Sequence, residues 1–152
     1  MDYAQYDDYY VLRLDEGEEV ISSLRQFLVE QSIEGGYFLA WGAFSRLKLS
    51  YYQPSLRSYK ERTLDQQVEV ASLVGNISHL NGEPTIHAHM VVGDENFQTY
   101  SGHLREGTVK PMLEVFVTPF SGTLHRVWDA QRNLAVLELE PVSEAAKMVE
   151  AR

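Results

Sequence analysis

The sequence predicts an α+β fold, a sheet with helical cover on one face, and three observations support it. Apolar residues recur at helical spacing once, early in the chain. A long series of β-rich segments then follows, with no helical pattern between them. Strands that succeed one another without helical crossovers favour an antiparallel or mixed sheet over a parallel one. The 152 residues are 44% hydrophobic and 23% charged, enough for one buried core. With no internal repeat, low-complexity run or Pro/Gly/Ser linker, residues 1–152 are read as a single domain.

The elements follow in order. Tyr9-Tyr10-Val11-Leu12-Arg13-Leu14 is rich in β-formers and is read as the first strand. Val20, Ile21, Leu24, Phe27 and Leu28 form one apolar stripe on a helix of roughly 17–31. Glu18 and Glu19 sit near its positive N-terminal end, and Gly35-Gly36 is expected to stop it. Residues 37–44 are too apolar for a wet face and predict a buried central strand, whereas 47–52 alternate like a strand covered on one side. Further strand signals lie near 58–63, 67–78, 84–92, 98–104, 109–118 and 133–140. Asn81-Gly82 and Gly93-Asp94 mark turns. A short C-terminal helix from Ser143 to Glu150, capped by Ser143, completes the expectation.

Composition narrows the function classes. Thirteen basic residues face 22 acidic ones, giving a formal charge of −9. Because nucleic-acid affinity comes largely from cations neutralising phosphates, this field opposes DNA or RNA. The densest basic group, Arg57, Lys60 and Arg62, is interrupted by Glu61. No run of about eighteen apolar residues predicts a membrane span. The acidic, aromatic start, residues 1–8, lacks the basic head and apolar middle of a secretory signal, so a cytoplasmic location is expected. Zero cysteines exclude disulfides and thiolate metal sites, leaving imidazole and oxygen to hold any metal.

The stretch from Gly75 to Pro84 (GNISHLNGEP), followed by His87-Ala88-His89, resembles the signature of the PPC family (plant and prokaryote conserved domain). Gly102-His103-Leu104 and Glu114-Val115 continue it, and Gly42-Ala43-Phe44-Ser45 with Leu47-Lys48-Leu49 is similar to the family's earlier glycine-led strand pair. The resemblance spans roughly residues 8–140 in order and spacing. It implies a curved, largely antiparallel sheet with helices against one side, assembled as a homotrimer. In plants the domain sits beside AT-hook motifs and mainly mediates protein association. This acidic chain has no AT-hook and resembles the stand-alone prokaryotic form, which tends to carry histidines the plant domains largely lack.

Strand alternation places those histidines. In the segment 86–92, Ile86, Ala88, Met90 and Val92 share a core face, so His87 and His89 project together from the other. With a hairpin centred near Asn96, His103 returns opposite His89 at about 4.5–5.5 Å. Three converging imidazoles suit zinc or a similar divalent metal and leave a position for water. Iron, nickel and manganese are open alternatives. Glu114, sharing a face with Met112 and Phe116, is a candidate fourth ligand or an acceptor that orients a histidine.

Other candidates are weaker. His79 and His125 are read as surface or structural residues. Asn76-Ile77-Ser78 fits a glycosylation pattern without a secretory context, and Ser101-Gly102-His103 has no strand-to-helix elbow for a serine nucleophile. Glycines 75, 82, 93 and 102 are read as turns and close backbone approaches. Tyr3, Tyr6, Tyr9 and Tyr10 suit a subunit interface better than base stacking.

Three functions remain in view. The first is a homotrimeric metal- or ligand-binding module whose partners are itself, other proteins or a small molecule. The second is a metal-dependent, hydrolase-type enzyme with Glu114 as base. The third is a DNA-associated regulator.

Overall fold

The computed structural model describes residues 1–139. An N-terminal hairpin, β1 (Asp2–Tyr6) and β2 (Tyr9–Asp15), leads into helix α1 (Val20–Glu30). Strands β3 (Gly36–Gln53), β4 (Ser58–Leu64), β5 (Val68–Leu80), β6 (Glu83–Gly93) and β7 (Thr99–Pro119) follow without a helix between them. A small hairpin, β8 (His125–Asp129) and β9 (Leu134–Leu137), ends the described chain.

All pairings are antiparallel except a short parallel contact of β5 with β8, at His79 and Leu80. The ladders close on themselves, from β3 to β5, β5 to β6, β6 to β7 and β7 back to β3. The curvature implied by the family resemblance therefore becomes a ring of long, bent strands.

The bends have a sequence cause. In β3, Phe38 and Ala40 point inward, Ala43 and Phe44 are both buried at the changeover, and further along Leu47 and Leu49 are buried. Even positions give way to odd ones, which a period-two strand achieves only by inserting a residue. The register shifts between Ala40 and Ala43 on one side and between Gly42 and Phe44 on the other. Gly42 sits there with φ +141, a conformation in which a Cβ would be strained. Strand β7 changes phase in the same way, from Leu104 to Gly107, Val109 and Leu113. The sequence predicts two separate strands at 37–44 and 47–52, and two more at 98–104 and 109–118. Each pair is one bulged strand, because the bulges absorb the change of phase that reads as a break.

Three further expectations change. The strand at 37–44 is not wholly buried, since Tyr37 and Trp41 are 44% and 45% exposed. They pair on the outer surface with Phe120 and Phe116, at ring separations of 6.1 and 5.7 Å. Helix α1 is shorter than 17–31: the Glu19 carboxylate accepts the Ile21 and Ser22 N–H groups as its N-cap. Its end comes at Gln31, before Ser32 takes φ +54, not at Gly35-Gly36. The helix expected at Ser143–Glu150 lies outside the described residues.

The apolar stripe of α1 buries Val20, Leu24, Phe27 and Leu28 against the sheet. Tyr3 and Tyr10 meet Phe27 edge-on at 5.1 and 5.3 Å, so two of the four N-terminal tyrosines are held by α1. Glu19 also accepts the Gly107 N–H, tying the helix start to β7. Among the described residues no helix is long and apolar enough to cross a membrane.

Candidate metal centre

Ala88, Met90 and Val92 of β6 are buried at 1%, 3% and 0% exposure, with Ile86 packed on the same core. Alternation then turns His87 and His89 to the opposite face. Residues 94–98 join β6 to β7, where Asp94 accepts the Asn96 and Gln98 N–H groups and the Tyr100 hydroxyl. That closure sets the register in which His89 pairs with His103. The hairpin is centred at Asn96, as the sequence predicts.

The three rings meet at centroid separations of 5.1–5.3 Å. One nitrogen from each lies within 4.8 Å of the others. Ligand bonds of about 2.0–2.1 Å to a common ion would bring such nitrogens to little more than 3 Å apart, so small side-chain rotations complete the fit. His87 and His103 are half-buried and His89 is exposed.

Charge at the site favours neutral imidazole. Burial, then the nearby Arg126 guanidinium, pushes His87 down to about 4. Burial, then Arg105, pushes His103 down to about 3. Both rings are therefore neutral at neutral pH, the charge state from which an imidazole binds a metal.

Glu114 does not join them. It pairs with Arg13 and Trp41 in the far half of β7, whereas His103 pairs with His89 and Ser50. Alternation gave its face correctly, but strand length put it elsewhere along the sheet. His79 Nδ1 donates a hydrogen bond to the Glu34 carbonyl, 3.0 Å away, and His125 pairs with His79 across β5 and β8. Both stand apart from the trio.

The sequence reading missed two arginines. Arg126 is 9% exposed and donates to Ser78 Oγ, the Ala135 carbonyl, Asn76 Oδ1 and His87 Nδ1, at 2.8–3.1 Å. Arginine can only donate, so His87 Nδ1 accepts, and a neutral ring then carries its proton on Nε2. Neither nitrogen of that ring is free for a metal until the Arg126 contact breaks. Arg105 lies 4.3 Å over the Tyr59 ring and donates to Ser50 Oγ. Position 105 shares the face of position 103, so alternation could have found it. Arg126 comes from a segment with no strand signal, brought in by the parallel pairing of β8.

The trio stands between two clefts. One, of about 530 Å³, is walled by Ser50, Tyr51, Ser72, Val74 and Ser101. The other, of about 690 Å³, contains Arg25, Arg57, Arg105, Arg126 and Trp128. His87, His103, Tyr52 and Tyr59 line both.

Residues 1–121 match the Plants and Prokaryotes Conserved (PCC) domain, also written PPC. The chain belongs to this family. Among solved structures, a candidate DNA-binding protein from Bacteroides thetaiotaomicron has a TM-score of 0.87 at 26% identity, covering 90% of this chain and 96% of its own. A metal-containing protein from Archaeoglobus fulgidus has a TM-score of 0.81 at 30% identity, covering 91% and 96%. The bifunctional protein GlmU of a Synechococcus strain is 28% identical over 99 residues, which are 64% of this chain and 15% of GlmU. This PPC chain thus matches only a small part of that relative's length.

Proposed function

We propose that this PPC protein is a homotrimer that holds one divalent transition metal, zinc or a close analogue, on His87, His89 and His103. The observation that carries the reading is the approach of three imidazole nitrogens within 4.8 Å on the wall of two clefts. The similar protein from Archaeoglobus fulgidus, described as metal-containing, supports it. Three protein ligands leave a coordination place open for water or a ligand, and a metal there supplies Lewis acidity. The chain's own residues shape what reaches it: Tyr59 stacks beside His103 at 5.9 Å, and Arg105 and Arg126 set a positive field.

Trimer formation is supported by the outer face. Cross-strand partners run in a row from His103 to His89, Val74, Leu39 and Phe116. Val74 and Phe116 are 47% and 40% exposed, beside the exposed Tyr37 and Trp41. An apolar strip of this kind is the surface that subunits bury. The hydrolase reading loses its proposed base with Glu114 elsewhere, and the formal charge of −9 opposes the DNA reading.

The test is elemental analysis of tag-free protein beside a His87→Ala/His89→Ala variant, with mass by light scattering. About one ion per subunit of a trimer, lost in the variant, is expected. Equal metal content in both would refute the site.

A further inference from the structure

We infer that the arginine-lined cleft beside the histidine trio is a binding site for a small organic carboxylate. The inference stands on the arginines and deepens the metal reading without depending on it.

Four of the chain's 13 basic residues, Arg25, Arg57, Arg105 and Arg126, line one cleft, and among the described residues no Asp or Glu lines it. In a protein with 22 acidic residues, that segregation is unexpected. Outside the cleft Arg13, Arg46, Lys48, Lys110 and Arg132 each meet a carboxylate, while Arg62 lies over the Tyr100 ring and Lys60 makes no ion pair among the described residues. Among the described residues none of the four cleft arginines meets a carboxylate.

Arg126 makes the case strongest. It is 9% exposed, yet its four hydrogen bonds all go to neutral acceptors. A guanidinium stays charged at any working pH, and a buried charge without a counter-ion is costly. An anion entering the cleft would supply the missing charge. Arg105 offers the hand that grips it. Its Nε is occupied by Ser50, and its plane is held against Tyr59, while among the described residues both terminal nitrogens have no hydrogen-bond partner. Such a fork, fixed by stacking, matches the two oxygens of a carboxylate.

The walls indicate the rest of the ligand. Ile86, Trp128 and Leu134 add apolar surface, and about 690 Å³ suits a small molecule. Among the described residues the lining contains no glycine loop and no helix start, the features that cradle phosphate. A ligand gripped by Arg105 would have its other end near His87 and His103, which line the same cleft.

The experiment is calorimetric titration of the protein with succinate, repeated after chelator treatment, with Trp128 fluorescence as a second readout. Succinamide, inorganic phosphate and the variants Arg105→Gln and Arg57→Gln accompany it. Saturable succinate binding is expected in both preparations, weakened at least about 10-fold by Arg105→Gln and less by the peripheral Arg57→Gln. Succinamide should not compete. No binding to wild-type protein would overturn the inference and point to a carboxylate of a second copy in the cleft. Binding unchanged by Arg105→Gln, or phosphate bound more tightly than succinate, would overturn it as well. Metal content measured on the same samples judges the metal site separately.

Discussion

Gly75 stands directly behind the site, paired on one side with Phe38 of β3 and on the other with Ala88, between the two histidines of β6. A Cβ built on Gly75 would lie 2.5 Å from Phe38 Cζ and 2.9 Å from the Ala88 methyl. Both neighbours are 1% exposed, so neither can swing into solvent. The Gly75→Ala variant must push the Phe38 ring through a packed core, and overpacking of this kind costs about 1–3 kcal/mol. In a chain of this size each kcal/mol moves the melting temperature by about 2–4 °C, so a fall of about 2–12 °C is expected at matched protein concentration. Phe38→Leu removes the ring atoms nearest the added methyl. Alone it leaves a void and also destabilises. Combined with Gly75→Ala it should cost less than the sum, by about 0.5–3 kcal/mol. Denaturant unfolding of the four proteins measures that coupling. Strict additivity, or an alanine variant as stable as wild type, would refute the claim that Phe38 occupies the space glycine leaves.

Two further predictions concern the site. Unfolded histidines titrate near 6.5, whereas folded His87 and His103 stay neutral until about 4 and about 3. Between those values only the unfolded chain takes up the protons, so metal-free protein should lose stability as pH falls from about 6.5 to about 4. Above pH 7 these groups should leave stability unchanged; melting curves should show this slope flattened in a His87→Gln/His103→Gln variant. Arg126→Met should have effects of opposite sign on two quantities. Stability should drop by about 1–3 kcal/mol, because Ser78, Asn76 and the Ala135 carbonyl lose their donor. Metal affinity by chelator competition should rise, because a competing donor and a positive charge leave His87; an affinity no higher than wild type would contradict that role for Arg126.

Local periodicity revealed much of this architecture. The helix stripe, the β6 alternation and the facing of His89 and His103 all follow from side-chain spacing within a hairpin of short reach. What failed was reach along the sheet. Glu114 had the right chemistry, but β7 is long enough to carry it into the far half of the ladder with Arg13 and Trp41. The register shifts between Phe44 and Arg46 and near Gly107 look like strand ends in the sequence, because a change of inward parity reads as a break, whereas the bulge at Gly42 falls unseen inside the 37–44 segment. β1 was missed because its five residues are exposed and carry no alternation. Arg126 was invisible for a different reason. Its place beside His87 depends on a parallel contact between His79 and His125, 46 positions apart in the chain, and no local pattern encodes that.

The proposed metal site requires all three imidazoles to act together on one ion. X-ray absorption at the edge of the bound metal, zinc for example, measures this most directly. Three histidine nitrogens at about 2.0–2.1 Å with oxygen completing the shell are expected, and two in a His103→Gln variant. A shell made of oxygens alone, or one unchanged by the substitution, would contradict it.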